Sequence, residues 1–235
     1  MALPILNTPS YEVELPLTKK SVKYRPFLVK EEKVLLMALE SQDQKQIMRA
    51  MHEIIDTCTF GTIKAKELPV AELELLFLKI RGKSVGENTH IALSCSACED
   101  KNEVDINLEE IKLSLDDLPN VKIMLTDSIG VIMKFPTSDD VLRNVDSKKS
   151  DVENSYAVIA SCLDKIFDSE NVYDVATQTK KEVQDFIESL NQKQFEKIKE
   201  FFTKLPKLKH TVDFKCQKCS HSNSLVIEGL ESFFA

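Results

Sequence analysis

The chain has 235 residues, 43% of them hydrophobic and 29% charged, and a formal net charge of -7. That profile belongs to an ordinary globular chain and excludes a disordered, collagen-like or membrane-spanning one. The acidic balance argues against general polyanion binding, and no uncharged apolar run nears the roughly 20 residues that crossing a bilayer requires.

The opening "MALPILNTPSYEVELPL" lacks the basic start and cleavage site of a signal peptide, so the chain reads as intracellular, in a reducing compartment. Residues 10–27 alternate with period two. Tyr11, Val13 and Leu15 share a face, Thr18–Ser21 form a polar turn, and Val22 and Tyr24 return, which predicts an edge hairpin flanked by Pro16 and Pro26. A helix follows with Glu31 and Glu32 in its first turn and Leu35, Ala38 and Leu39 on its apolar stripe. Ser41 and Asp43 break it and cap the next, which carries Ile47, Met51, Ile54 and Cys58. A third helix starts at Pro69, buries Leu73, Leu76, Phe77 and Ile80, and is expected to stop at Gly82.

From Thr89 to Leu108 the pattern becomes strand, CxxC turn, strand. A second hairpin is predicted in "VKIMLTDSIGVIMKF" around Asp127–Gly130, then a helix near Ser155–Phe167. Two amphipathic helices follow in "KKEVQDFIESLNQKQFEKIKEFFTKL", ended by Pro206, and a last strand–CxxC–strand unit spans Thr211–Ile227. The fold class is α+β: a mostly helical body with β-hairpins and a zinc-ribbon-like pair of CxxC knuckles joined across a long helical insertion. The expected domains are an N-terminal hairpin plus helices (1–88) and a zinc-ribbon-like module (89–110 and 207–230). An inserted hairpin and helical region (111–206) and a C-terminal tail (231–235) complete them.

Four of the six cysteines stand in the two CxxC pairs: Cys95 and Cys98, Cys216 and Cys219. A tight turn between strands lets two thiolates converge on one metal, and two such turns supply the ligands of one tetrahedral structural zinc per chain. Zinc ribbons usually separate their pairs by roughly 15–20 residues, whereas here residues 99–215 intervene. The longer loop costs only about 1.7 kcal/mol, against about 10–16 kcal/mol from structural zinc in finger peptides. Residues 99–117 hold eight acids against two lysines and residues 193–218 eight lysines against three acids, which favours the meeting of the two knuckles. Redox pairs, disulfides and metal-free knuckles are the alternatives. Glu99 and Ser220 stand where knuckles often place glycine, so a different turn is expected. Cys58 and Cys162 read as buried free thiols.

No phosphate loop, dinucleotide fingerprint, HExxH pair or serine elbow is present, and five glycines leave little material for one. Asp116–Asp117 and Asp139–Asp140 read as helix caps, and His52 as a surface or satisfied core residue. Four thiolates leave a zinc no open position, so the chain reads as a non-enzyme without a small-molecule substrate.

"YRPFLVKEEKVLLMA", "LPVAELELLFLKIRGKSVGE", "CSAC" with "CQKC", "FIESLNQKQFEKIKEFF" before Pro206 and the terminal "GLESFF" together resemble the baseplate hub assembly proteins of T-even-like contractile-tailed bacteriophages. The resemblance covers nearly the whole chain. It implies a hub subunit or assembly chaperone that binds other baseplate hub and tail proteins, in the host cell cytoplasm during assembly or in the tail baseplate of the virion. No catalytic residue carries over. Tyr24, Arg25 and Phe27 are candidate partner anchors, because aromatic and arginine side chains dominate interface cores. Phe233 and Phe234 are candidates as an apolar terminal pair that must dock on something. The alternative is a zinc-ribbon nucleic-acid-binding protein using Lys193, Lys197, Lys199, Lys204, Lys207, Lys209, Lys215 and Lys218. No arginine lies among those lysines for bidentate contacts.

Overall fold

A computed structural model describes residues 6–146 and 148–233. These residues form seven α-helices and eleven strands, the strands in four small antiparallel sheets, so the fold is mixed α+β. The chain divides into two compact units: Met1–Ser114 with Lys207–Ala235, and Leu115–Pro206.

The first unit opens with the hairpin β1 (Tyr11–Leu15) and β2 (Lys20–Tyr24), in which Tyr11 faces Tyr24 and Val13 faces Val22. Leu15, Val22 and Tyr24 are buried on one side of it. Helix α1 (Val29–Glu40) is followed by α2 (Gln44–Cys58), whose first turn is capped by Asp43 accepting from the Lys45 N–H at 2.8 Å. Met51, Ile54, Ile55 and Cys58 turn inward from α2.

Helix α3 (Val70–Val85) is the axis of this unit. Leu73, Leu76, Phe77 and Ile80 pack with the β1–β2 hairpin and α2. Ala71, Leu75 and Leu78 pack on a second cluster built by the strands that carry the cysteines. A helix with apolar side chains on both faces is a buried helix, and the sequence stripe had shown only one of those faces. The expected stop at Gly82 is corrected. Gly82 lies inside α3, where a Cβ would stand 3.9 Å from that of Leu108. The helix ends instead at Gly86, with φ 137°, a backbone conformation that side chains resist.

The cysteine-bearing strands form two hairpins. β3 (Asn88–Ser94) pairs with β4 (Lys101–Asn107). Beyond the second unit, β10 (Leu208–Lys215) pairs with β11 (Ser222–Glu228) and, on its other edge, with the short β5 (Lys112–Leu113). That last pairing keeps residues 112–113 in the first unit.

The second unit is a four-stranded sheet in the order β6 (Lys122–Met124), β7 (Gly130–Met133), β8 (Leu163–Phe167), β9 (Val172–Asp174). Helices α4 (Ser138–Asn144), α5 (Asp151–Ser161), α6 (Lys180–Glu188) and α7 (Gln192–Thr203) accompany it. Its core joins Leu125, Val131, Met133, Leu163, Val183, Ile187, Ile198 and Phe201. The helix expected over Ser155–Phe167 ends early. Ser161 is its last residue, and Leu163–Phe167 become the strand that pairs with both β7 and β9. Capping boxes fix α4 through Thr137 and Asp140, α6 through Thr179 and Glu182, and α7 through Asn191 and Gln194. Asp116 and Asp117 precede no helix and lie in a turn.

Candidate metal centre

The sequence places each CxxC at the tip of a hairpin, and α3 supplies the apolar floor under both. The sulfur atoms of Cys95, Cys98, Cys216 and Cys219 all lie within 4.8 Å of one another. The separations from Cys95 to Cys219 and from Cys98 to Cys216, each crossing between hairpins, are both 3.7 Å. A disulfide brings its sulfurs to about 2.05 Å, so these are four free thiols. A regular tetrahedron with metal–sulfur bonds of about 2.3 Å has sulfur–sulfur edges of about 3.8 Å. The two separations that cross between hairpins have that spacing and the others lie within 4.8 Å, so the donor set fits a tetrahedral thiolate-bound ion.

The two knuckles are built alike. Cys95 N–H donates to Asp100 O and Glu99 N–H to Cys95 O, both at 2.9 Å. Cys216 N–H to His221 O (2.8 Å) and Ser220 N–H to Cys216 O (2.9 Å) repeat the pattern. Glu99 (φ 60°) and Ser220 (φ 61°) both take the left-handed conformation. The different turn expected from their lacking a glycine is thus corrected: the glycine-type turn is kept, with non-glycine residues bearing the strain. Cys95 and Cys216 are buried, while Cys98 is half-buried and Cys219 exposed.

Two residues absent from the sequence reading complete the arrangement. Asn102 on β4 accepts the Gln217 N–H (2.8 Å) and donates its amide to Asp100 O (2.8 Å) and Cys216 Sγ (3.7 Å). Asn223 on β11 accepts the Ser96 N–H (2.9 Å) and donates to His221 O (3.1 Å) and Cys95 Sγ (3.5 Å). Each asparagine thus holds its own turn and reaches the other hairpin's first cysteine. Both are buried. The signal was present as a repeat, "CSACEDKN" and "CQKCSHSN", with asparagine four residues after the second cysteine in each.

Burial opposes ionisation of Cys95, but N–H groups of Ala97 and Cys98, the Asn223 amide and the Cys219 thiol bring it down to about 6. The Cys219 N–H, against burial and with the Lys218 N–H, likewise lowers Cys216. The Asp100 N–H favours a thiolate at Cys98, yet the neighbouring thiols and burial push that group up to about 12. Protons are therefore unevenly shared among Cys95, Cys98 and Cys216, and a bound divalent cation would favour the thiolate forms. Among the described residues the charge contrast between the two segments comes down to two bridges, Lys218 to Asp100 at 3.2 Å at the knuckles and Lys204 to Asp117 at 3.9 Å within the second unit. Exposed pairs of this kind contribute about 0–1 kcal/mol, so the asparagines and the apolar floor carry the docking.

The other predicted site residues lie elsewhere. Tyr24, Phe27 and Phe233 are buried in the first unit's own cores. Arg25 donates to Glu31 at 3.0 Å and to Pro26 O at 2.8 Å, and touches Cys58 Sγ at 3.8 Å. Burial opposes charge on Glu31, but Arg25 and the Leu28 N–H keep its carboxyl below the usual range. Phe234 lies outside the described residues. Cys58 and Cys162 are fully buried, and burial raises their thiols to about 11 and about 12.

A family model described as T4 bacteriophage base plate protein matches residues 8–235. The chain belongs to that family. No curated protein and no solved structure matches it. Membership of the T4 base plate family gives the chain a structural role in a phage tail, with other tail proteins as its partners. No helix among the described residues is long and apolar enough to cross a membrane.

The second unit of this base plate protein also carries an apolar groove, lined by Ile129, Ile166, Phe167, Tyr173, Val183 and Phe186. Two carboxylates line it as well, and both are engaged. Asp168 accepts from the Glu170 and Asn171 N–H groups and from Tyr173, and Glu182 caps α6. They are placed as turn and cap residues rather than as an acid–base pair.

Proposed function

We propose that this chain is a hub component of the tail base plate, a permanent subunit or an assembly chaperone, which works by binding other tail proteins. One structural zinc ion, held by Cys95, Cys98, Cys216 and Cys219, would clip its first unit together. The observation that carries the zinc is the convergence within 4.8 Å of four sulfurs contributed by two hairpins far apart in sequence, with both cross-hairpin pairs at 3.7 Å. Four thiolates leave such an ion no position for water or substrate, so its contribution is to stability.

Under this proposal Tyr24, Arg25, Phe27 and Phe233 serve partner binding from inside, by fixing the surface that a second tail protein meets. The segment after them leaves Val29 (80% exposed), Leu36 (54%) and Met37 (61%) in solvent. Nucleic-acid binding has less support. The eight lysines are divided between the two units. Five are engaged: Lys197 on the Met124 carbonyl, Lys199 on Glu196, Lys204 on Glu200, Lys207 on Glu228 and Lys218 on Asp100.

Native mass spectrometry beside a denatured, chelator-treated sample tests the clip. One zinc per chain, lost on denaturation, is expected; the added mass separates zinc from iron, the other ion suited to a tetrahedral sulfur site. A metal-free or disulfide-bonded chain sinks it. The hub role is tested in infected cells by recovery of tail proteins on the tagged chain, which Leu36→Asp should reduce. Peptides of the chain in purified virions identify a subunit, and their absence from virions whose assembly needs it identifies a chaperone. Recovery of nucleic acid and no tail protein overturns the hub role.

A further inference from the structure

Asn102 and Asn223 are the two buried polar side chains that link the knuckles, and their contacts are reciprocal. Each carboxamide does two things at once. Its oxygen receives the first N–H after the other hairpin's leading cysteine, and its nitrogen points a hydrogen at that cysteine's sulfur. Neither contact exists in a hairpin standing alone, because donor and acceptor come from opposite hairpins. Within its own hairpin each amide also donates to the turn carbonyl, of Asp100 or His221, which fixes its orientation before docking. A thiolate is stabilised by N–H donors, and partners beyond the ligands tune how strongly a site holds its ion.

We propose that Asn102 and Asn223 are reciprocal positioning residues for the metal: each completes the other hairpin's half-site, so that the four-thiolate centre forms in one step. The proposal rests on the metal reading above, which it deepens. Half a site, Cys95 with Cys98 or Cys216 with Cys219, lacks the amide donor to its leading sulfur until the second hairpin arrives. Docking and metal capture are therefore one event.

Cobalt(II) titration of the full chain tests this, because thiolate-to-cobalt charge-transfer bands report on the sulfur lone pairs directly. Asn102→Asp and Asn223→Asp are the informative variants. The carboxylate retains an acceptor for the Gln217 or Ser96 N–H but has no hydrogen to give to sulfur. Each is expected to lower cobalt affinity by about 10–100-fold and to move the charge-transfer band to lower energy. The double variant should lose less than the product of the two single losses, since both contacts belong to one docking event. Aspartate variants that bind cobalt as the natural chain does, with an unmoved band, overturn the proposal while leaving the metal reading intact. A natural chain that binds no cobalt overturns both. If a variant fails to fold, the natural chain loaded with cadmium-113 decides alone. Scalar coupling from the metal to the carboxamide protons of Asn102 and Asn223 is expected, and its absence from both overturns the assignment.

Discussion

Glu74 shows how one residue can set a pH dependence. It sits on α3 between the two apolar faces of the helix, and burial raises its carboxyl to about 7 although the Leu230 N–H donates to it, with Glu231 adding to the rise. An unfolded chain releases that proton near 4.5. Between about pH 4.5 and 7 the folded protein thus binds more protons than the unfolded one, and its stability falls as pH rises. The contribution is complete below 4.5 and lost through 7. Glu74→Gln keeps an acceptor for Leu230 and removes the charge. It should stabilise the protein at pH 8 by on the order of 2 kcal/mol and leave pH 5 little changed, by denaturant unfolding at both values. Both proteins carry the same thiols, so their difference isolates Glu74; equal pH dependence would refute it. At this scale the sequence made the four cysteines legible, since thiol pairs at short spacing have few uses. It hid Asn102 and Asn223, because a buried asparagine has no pattern until the two hairpins are seen to repeat. It offered Tyr24, Arg25 and Phe27 as partner anchors but did not reveal that Tyr24 and Phe27 are buried in the first unit's core, because residue type alone does not tell an exposed side chain from a core one.

At the scale of elements, the local chemistry of caps and turns was read well where one residue decides. Asp43 caps α2, and the two amphipathic helices before Pro206 are α6 and α7. It failed where tertiary pairing decides. Leu163–Phe167 continued an apparent helix but found strands on both sides, and Gly82 resembled a helix stop while serving close contact with Leu108. The knuckle turns give a sharper case, because position rather than residue type enforces their left-handed backbone. Glu99 and Ser220 each bear a steric cost of roughly 1–2 kcal/mol there. Glu99→Gly and Ser220→Gly should each stabilise the protein, by about 0.5–1 kcal/mol after the added freedom of glycine in the unfolded chain is subtracted. A higher denaturation midpoint with an unchanged denaturant slope is the expected result. A lower midpoint would show that these side chains make a contribution exceeding their strain.

For the whole molecule, the long separation of the CxxC pairs has a simple meaning: a unit with its own core has been inserted into another. Among the described residues, the buried apolar side chains of the Leu115–Pro206 unit form one cluster, and the two clusters of the first unit contain none of them. The ends of the insertion are joined within the first unit. Ser114 N–H donates to Lys207 O at 2.9 Å, and Lys207 N–H to Ser114 Oγ at 3.0 Å. The backbone therefore leaves and re-enters the first unit at one place, continuing the pairing of β5 with β10. Replacing residues 115–206 with a few glycines should consequently leave a protein that folds cooperatively and binds one zinc through the same four cysteines. Residues 115–206 expressed alone should fold as well, held by the packing of Val131, Leu163, Ile198 and Phe201. Thermal unfolding followed by circular dichroism, with zinc content measured on the shortened chain, checks both halves. Loss of zinc or of a cooperative transition on excision would mean that the inserted unit is needed to bring the two hairpins together. The metal would then be reporting on the state of the whole chain rather than clipping one part of it.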